Sequence, residues 1–122
     1  MKPTLILGAS PQPDRYAFLA AEMLKSYGHE VFAFGRRKGE TGAGLPILIN
    51  QSEVPDNQID TITLYMNAEV QKSYYPWIFQ LNPKRVIFNP GAENPELAKM
   101  LRERNIEPLE ACTLVMLRSR IY

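Results

Sequence analysis

One cysteine and one histidine in 122 residues leave no partner for a disulfide and no cluster able to hold structural zinc. Cys112 and His29 stand alone, and the chain reads as a reduced, metal-free, cytoplasmic protein. An excess of either charge is also missing: 14 basic residues meet 13 acidic ones, for a net charge of +1. That balance argues against a general polyanion binder, so no nucleic-acid partner is expected and any anion site must be local. Long apolar runs are absent as well. The opening run stops at Gly8, too short for a signal-peptide core and far too short to span a bilayer, so neither secretion nor membrane insertion is expected. No repeat, low-complexity stretch or linker interrupts the sequence. Residues 1–122 are therefore expected to form one domain around one core, for which 45% apolar residues is ample.

What is present alternates. Residues 4–7, 31–34, 61–66 and 86–88 are short apolar or β-branched runs, the pattern of strands buried on both faces. Residues 45–49 carry Pro46, which suits a strand start or edge, and 108–111 read as a last strand. Between the first two runs Asp14 can cap a helix in which Ala17, Ala20, Ala21 and Leu24 recur at helical spacing until Gly28 closes it. Strand, helix and strand within about 30 residues is a right-handed parallel crossover. Asn67 opens a second helical stripe of Val70, Tyr74, Trp77, Ile78 and Leu81, which Pro76 should kink or restart near Tyr75. Asn94 and Pro95 open a third, with Leu97 and Leu101 on one face and an end near Asn105. The alternation predicts an α/β fold, a doubly wound and mostly parallel sheet of about five strands with helices on both faces. Tyr74, Tyr75 and Trp77 read as core and helix-face packing, with a homodimer face as the alternative.

In such sheets ligands lie outside the carboxyl ends of the strands, where strand order reverses. Those ends offer Gly8-Ala9-Ser10, Gly35 with Arg36, Arg37 and Lys38, Met66-Asn67, Asn89-Pro90-Gly91, and Cys112-Thr113. Gly8 lets the backbone approach a phosphate, and Ser10 with the first helical amides supplies donors. The run after Gly8, Ala9-Ser10-Pro11-Gln12-Pro13, lacks the other glycines of a dinucleotide fingerprint, which disfavours an ordinary NAD site. Where NAD binders place an acid for the ribose, this chain places three cations in a glycine-rich, flexible loop of residues 35–44. Cations there suit a phosphate, such as the 2′-phosphate of NADP or the 3′-phosphate and pyrophosphate of coenzyme A, although a solvated basic loop is the commoner fate of such a run. Catalytic groups are few. His29 falls at the amino end of the second strand, away from the expected site, and Cys112 and Glu93 sit at strand ends with no partner to activate them.

Four stretches, taken together, resemble the small stand-alone CoA-binding proteins, single Rossmann-like domains similar to the CoA-binding domain of the succinyl-CoA ligase alpha subunit. They are Leu5-Ile6-Leu7-Gly8-Ala9-Ser10 followed by Arg15; Gly28-His29-Glu30-Val31; Arg85-Val86-Ile87-Phe88-Asn89-Pro90-Gly91 with Glu93-Asn94-Pro95-Glu96; and Glu110-Ala111-Cys112-Thr113. The resemblance implies that Gly8, Ala9, Ser10 and Arg15 hold nucleotide phosphates and that the loop around Arg36, Lys38 and Gly39 meets the adenosine end. Gly44-Leu45-Pro46 looks like the Gly-Leu-Pro that follows the ligase's glycine-rich loop. It further implies that Asn67 lines the pantetheine side, opposite Asn89, Gly91 and Cys112. Phe34-Gly35-Arg36 departs from the Asn-Pro that many relatives carry after strand two. The ligase's phosphorylatable histidine domain and partner subunit have no counterpart here, so ligase activity is not implied. The expectation is a non-catalytic module for coenzyme A or an acyl-CoA. The rivals are an NADP-linked reductase or CoA-thioester enzyme using Cys112 or Glu93, and a protein-interaction domain with an unknown protein partner.

Overall fold

In the computed structural model, which describes all 122 residues, the apolar runs become strands: β1 (Thr4–Leu7), β2 (Val31–Phe34), β3 (Ile47–Leu48), β4 (Thr61–Leu64), β5 (Arg85–Phe88) and β6 (Glu107–Glu110). Helices α1 (Tyr16–Ser26), α2 (Ala68–Gln71), α3 (Tyr75–Leu81), α4 (Pro95–Arg102) and α5 (Thr113–Arg118) connect or follow them. β1, β4 and β5 are buried at every position, as continuous apolar strands under two helical layers should be. The strands run in the order β3-β2-β1-β4-β5-β6, and every neighbouring pair is parallel. This is the doubly wound, Rossmann-like arrangement. It has six strands where about five are expected; the two-residue edge strand β3, paired with Ala33 and Phe34, lies within the 45–49 run that Pro46 marks as a strand start or edge.

Side-chain alternation along each strand splits the core between the two faces. Leu5, Leu7, Ile62, Leu64, Val86 and Phe88 pack against Trp77, Ile78 and Leu81 of α3 and Leu97 and Leu101 of α4. On the other face Ile6 and Val31 meet Ala17, Ala21 and Leu24 of α1 and Leu117 of α5. Burying each such Leu or Ile contributes about 2 kcal/mol. Trp77 is thus a core residue, while Tyr74 and Tyr75 are half-buried, with the Tyr75 hydroxyl tied to Asn94 and Glu96.

Several local expectations meet their outcomes here. The side chains of Asn67 and Asn94 accept from the amides of Val70 and Leu97 and cap α2 and α4. Pro76 restarts the chain as α3 after a 3-10 turn at Lys72–Tyr74. Asp14 does not cap α1; Arg15 occupies the cap position without a side-chain bond, because the turn closes through Arg15 N–H to the Gln12 carbonyl. α5 has no counterpart in the sequence reading, and Cys112 is its first flanking residue. The glycine-rich stretch expected to be flexible folds as a hairpin. Ile47 N–H donates to Gly39 and Thr41 N–H to Leu45, and Gly42 packs on Phe18 and Glu22 of α1.

The outer edge of β6 is short of a donor for strand addition. Glu107 and Ala111 turn their amides inward to Lys84 and Phe88, which leaves outward-facing Pro108 without an N–H to offer. No helix is long and apolar enough to cross a membrane.

At the amino edge of the sheet, Lys2 N–H donates to His29 Nδ1 at 2.9 Å, and the His29 ring meets Tyr122 edge-on at 4.9 Å. Burial, reinforced by the amino-terminal charge, Lys2 and Arg85 and opposed by Asp60, lowers the His29 pKa below its ordinary 6.5. Between the lowered folded value and 6.5 the unfolded chain binds more protons, so this contribution is complete above that pH and lost as pH falls through the window. Thermal unfolding between about pH 7 and 5.5 is therefore expected to show a steeper loss of stability in the wild type than in His29→Asn, which keeps an acceptor that does not titrate. Equal slopes would assign the dependence to other groups.

Candidate functional site

The two halves of the sheet wind in opposite directions from its centre. α1 leaves β1 toward one face, and α2 with α3 leaves β4 toward the other, so the turns after β1 and β4 diverge. A cleft of about 690 Å³, lined by 21 residues from the carboxyl ends of β1, β2, β4 and β5, fills the gap. That volume lies within the range of small-molecule sites, about 300–1,000 Å³.

Its floor is backbone. Gly8 has φ +105°, and a Cβ there would lie 2.9 Å from the Tyr65 carbonyl oxygen, so no other residue fits the turn without displacing the β4 end. Gly8 and Ala9 N–H both donate to the Phe34 carbonyl, at 3.0 and 2.9 Å, which ties the end of β1 to the end of β2. Gly35 completes the contact, since a Cβ on it would meet the Ala9 carbonyl oxygen at 2.5 Å. Ser10 Oγ accepts from Gln12 N–H, and Arg15 Nε donates to Gln12 Oε1, so the loop between β1 and α1 holds its own shape. Tyr16 and Ala17, in the first turn of α1, line the cleft, and their amides make no hydrogen bond within the protein. They form a donor pair at a positive helix end with no acid in that turn.

Charge follows the same geometry. Arg15, Arg36 and Arg37 line the cleft against a single carboxylate, Asp14, a local excess of two positive charges. None of the three arginines enters an ion pair. The side at the turns after β4 and β5 is apolar, with Met66, Val70 and Ala92, and the half-buried Tyr65 and Tyr74 also line the cleft. Phe34 meets Tyr74 edge-on at 6.0 Å at the rim. Burial pushes the Tyr65 phenol well above its ordinary pKa and keeps it protonated.

Of the residues selected from sequence, Gly8, Ala9, Ser10, Arg15, Arg36, Asn67 and Gly91 line this one cleft. Asn67 spends its side-chain oxygen on the α2 cap and keeps its amide nitrogen free. Lys38 and Gly39 lie beyond the lining, where the hairpin turns away. Arg37, counted among the cations but assigned no contact, is inside it, as are Tyr65 and Met66, which the strand-end rule places directly before Asn67. Cys112 is half-buried at the start of α5, outside the lining. Glu93 is exposed, and its carboxylate accepts from Gly91 N–H at 2.9 Å.

Asn89 differs most from its expected role. It is 2% exposed and points inward, donating to Thr63 Oγ1 and the Leu64 carbonyl and accepting from Thr113 N–H. The residue anchors α5 to the ends of β4 and β5 and leaves no atom for a ligand.

With this geometry in hand, similarities to known proteins become informative. Residues 2–118 match the family described as CoA binding domain. A crystal structure of a protein of uncharacterised function is 52% identical with a TM-score of 0.94, covering 100% of this chain and 98% of its own. A Thermus thermophilus protein is 23% identical, TM-score 0.86, over 99% and 90% of the two chains. A dinucleotide-forming acetyl-coenzyme A synthetase from Ca. Korarchaeum cryptofilum, solved with phosphate and ADP, is 18% identical, TM-score 0.70, over 89% of this chain and 25% of the synthetase. No curated protein matches.

Asn89→Ala would strand Thr113 N–H and the Leu64 carbonyl together, and is expected to cost about 3 kcal/mol in a urea titration. A loss under about 1 kcal/mol would mean that water takes over the bracket.

Proposed function

The chain belongs to the CoA binding domain family, and on that premise we propose that it holds coenzyme A or an acyl-CoA without transforming it. The observation that carries the reading is the set of free donors along one side of the cleft: the amides of Tyr16 and Ala17, the guanidinium groups of Arg36 and Arg37, and the terminal nitrogens of Arg15, whose Nε is held by Gln12. Pyrophosphate lies over the Gly8 turn and the first turn of α1, where backbone donors and the helix dipole favour anions. The 3′-phosphate faces the start of the basic loop 36–39, met by the guanidinium groups of Arg36 and Arg37, which bind phosphate by paired charge-assisted bonds. The pantetheine arm runs past Asn67 to the apolar end at Met66, Val70 and Ala92, which suits its aliphatic chain.

A binding role is supported by where the reactive groups are. Cys112 and Glu93 lie outside the lining; inside are arginines, tyrosines, Asp14 and Ser10, and the Ser10 hydroxyl is held by Gln12 N–H with no hydrogen bond to a base. The arginines at the end of β2 also suit the 2′-phosphate of NADP, and that is the second reading.

Thermal unfolding with coenzyme A, dephospho-CoA, NAD and NADP in parallel separates the two. A ligand at 100 times its dissociation constant adds about 2.7 kcal/mol of apparent stability. Coenzyme A is expected to give that stabilisation, dephospho-CoA less and NAD none; a response to NADP alone would establish the second reading. Replacing both Arg36 and Arg37 by alanine should weaken coenzyme A by about tenfold to a hundredfold and leave dephospho-CoA nearly unchanged. Lys38→Ala should change neither. Equal losses for both ligands would remove the 3′-phosphate from this end.

A further inference from the structure

The apolar end of the cleft has two walls from separate parts of the chain, the turn after β4 (Met66, Asn67) and the turn after β5 (Gly91, Ala92). One side chain behind them touches both. Gln71, fully buried, donates from Nε2 to the Met66 carbonyl and to the Ala92 carbonyl, each at 2.8 Å. Its Oε1 accepts from Asn94 Nδ2 at 2.9 Å, and Asn94 is itself fixed by its cap to Leu97 N–H. Every hydrogen of the Gln71 amide group and its oxygen are engaged. The two carbonyls would otherwise repel each other in a buried setting, so the amide fixes their separation.

We infer that Gln71 is a positioning residue that ties the β4 and β5 turns together and so sets the cleft's grip on the arm of the ligand beyond its phosphates. The inference rests on the proposed CoA reading for the identity of that arm. Gln71 lines no part of the cleft, so it acts through Met66 and Ala92. It lies at the end opposite Arg15, Arg36 and Arg37, and the phosphate-binding half does not depend on it.

The test compares coenzyme A with adenosine 3′,5′-bisphosphate, which carries the adenosine end without the pantetheine arm, in the wild type, Gln71→Glu and Gln71→Met. Gln71→Glu turns a double donor into an acceptor facing two carbonyls and should weaken coenzyme A by about tenfold or more while changing the bisphosphate less than about twofold. Gln71→Met fills the same space without the tether and should give a smaller loss with the same selectivity, which covers the case in which the glutamate variant does not fold. Amide exchange without ligand should rise in Gln71→Met at residues 65–67 and 91–92 together. Equal loss of both ligands, no loss of either, or unchanged exchange in the two turns would overturn the inference. Failure of the wild type to bind coenzyme A would instead overturn the proposed function, with the exchange measurement still deciding whether the tether exists.

Discussion

Parallel strands cannot be joined by tight turns, and the fold follows from that constraint. Each connection must return over a face of the sheet, so every strand-to-helix turn gathers on one edge. With β1 winding toward β2 and β4 toward β5, the central turns part company, and the opening between them exists before any side chain is chosen. Parting strand ends also leave backbone groups without ladder partners. Asn89 takes up the Leu64 carbonyl and Thr113 N–H, and Gln71 takes up the carbonyls of Met66 and Ala92. Two buried amide side chains thus close the hydrogen bonding between the turns after β4 and β5 from behind, without entering the cleft.

The strands were legible because burial on both faces forces an uninterrupted apolar run that Gly, Asn or Pro then stops, as at Gly8 and Asn89-Pro90-Gly91. Helix starts were legible where the chemistry is local: Asn67 and Asn94 reach amides three residues on, whatever surrounds them. Asp14 carries the same chemistry, but the neighbouring turn through Gln12 had already closed the entry to α1. α5 escaped notice because its six residues start from Cys112, with no side-chain cap, and follow the apolar pattern of a buried segment more than a helical stripe.

Position along the chain was easier to read than direction. Both Asn89 and Gly91 sit at the end of β5, yet one turns inward to Thr63 and Thr113 while the other faces the cleft, and the difference is made by residues 26 and 24 positions away from Asn89. The basic loop shows the same limit. Three adjacent cations are equivalent in sequence, and the hairpin closed by Ile47 and Gly39 decides that Arg36 and Arg37 face the cleft and Lys38 does not.

The distribution of titratable groups gives the site its character. The sole histidine lies on the opposite edge of the sheet, among Lys2, Arg85 and Tyr122, and takes its pH response there. Inside the cleft the charged side chains are Arg15, Arg36, Arg37 and Asp14, and burial holds the Tyr65 phenol protonated. No histidine lines the cleft, and its charged side chains leave it net positive. General acid–base chemistry needs a group whose proton comes and goes near neutral pH, whereas retention of a polyphosphate needs charges that do not change. Three guanidinium groups and no histidine in the lining match the second requirement and so support the proposed binding role.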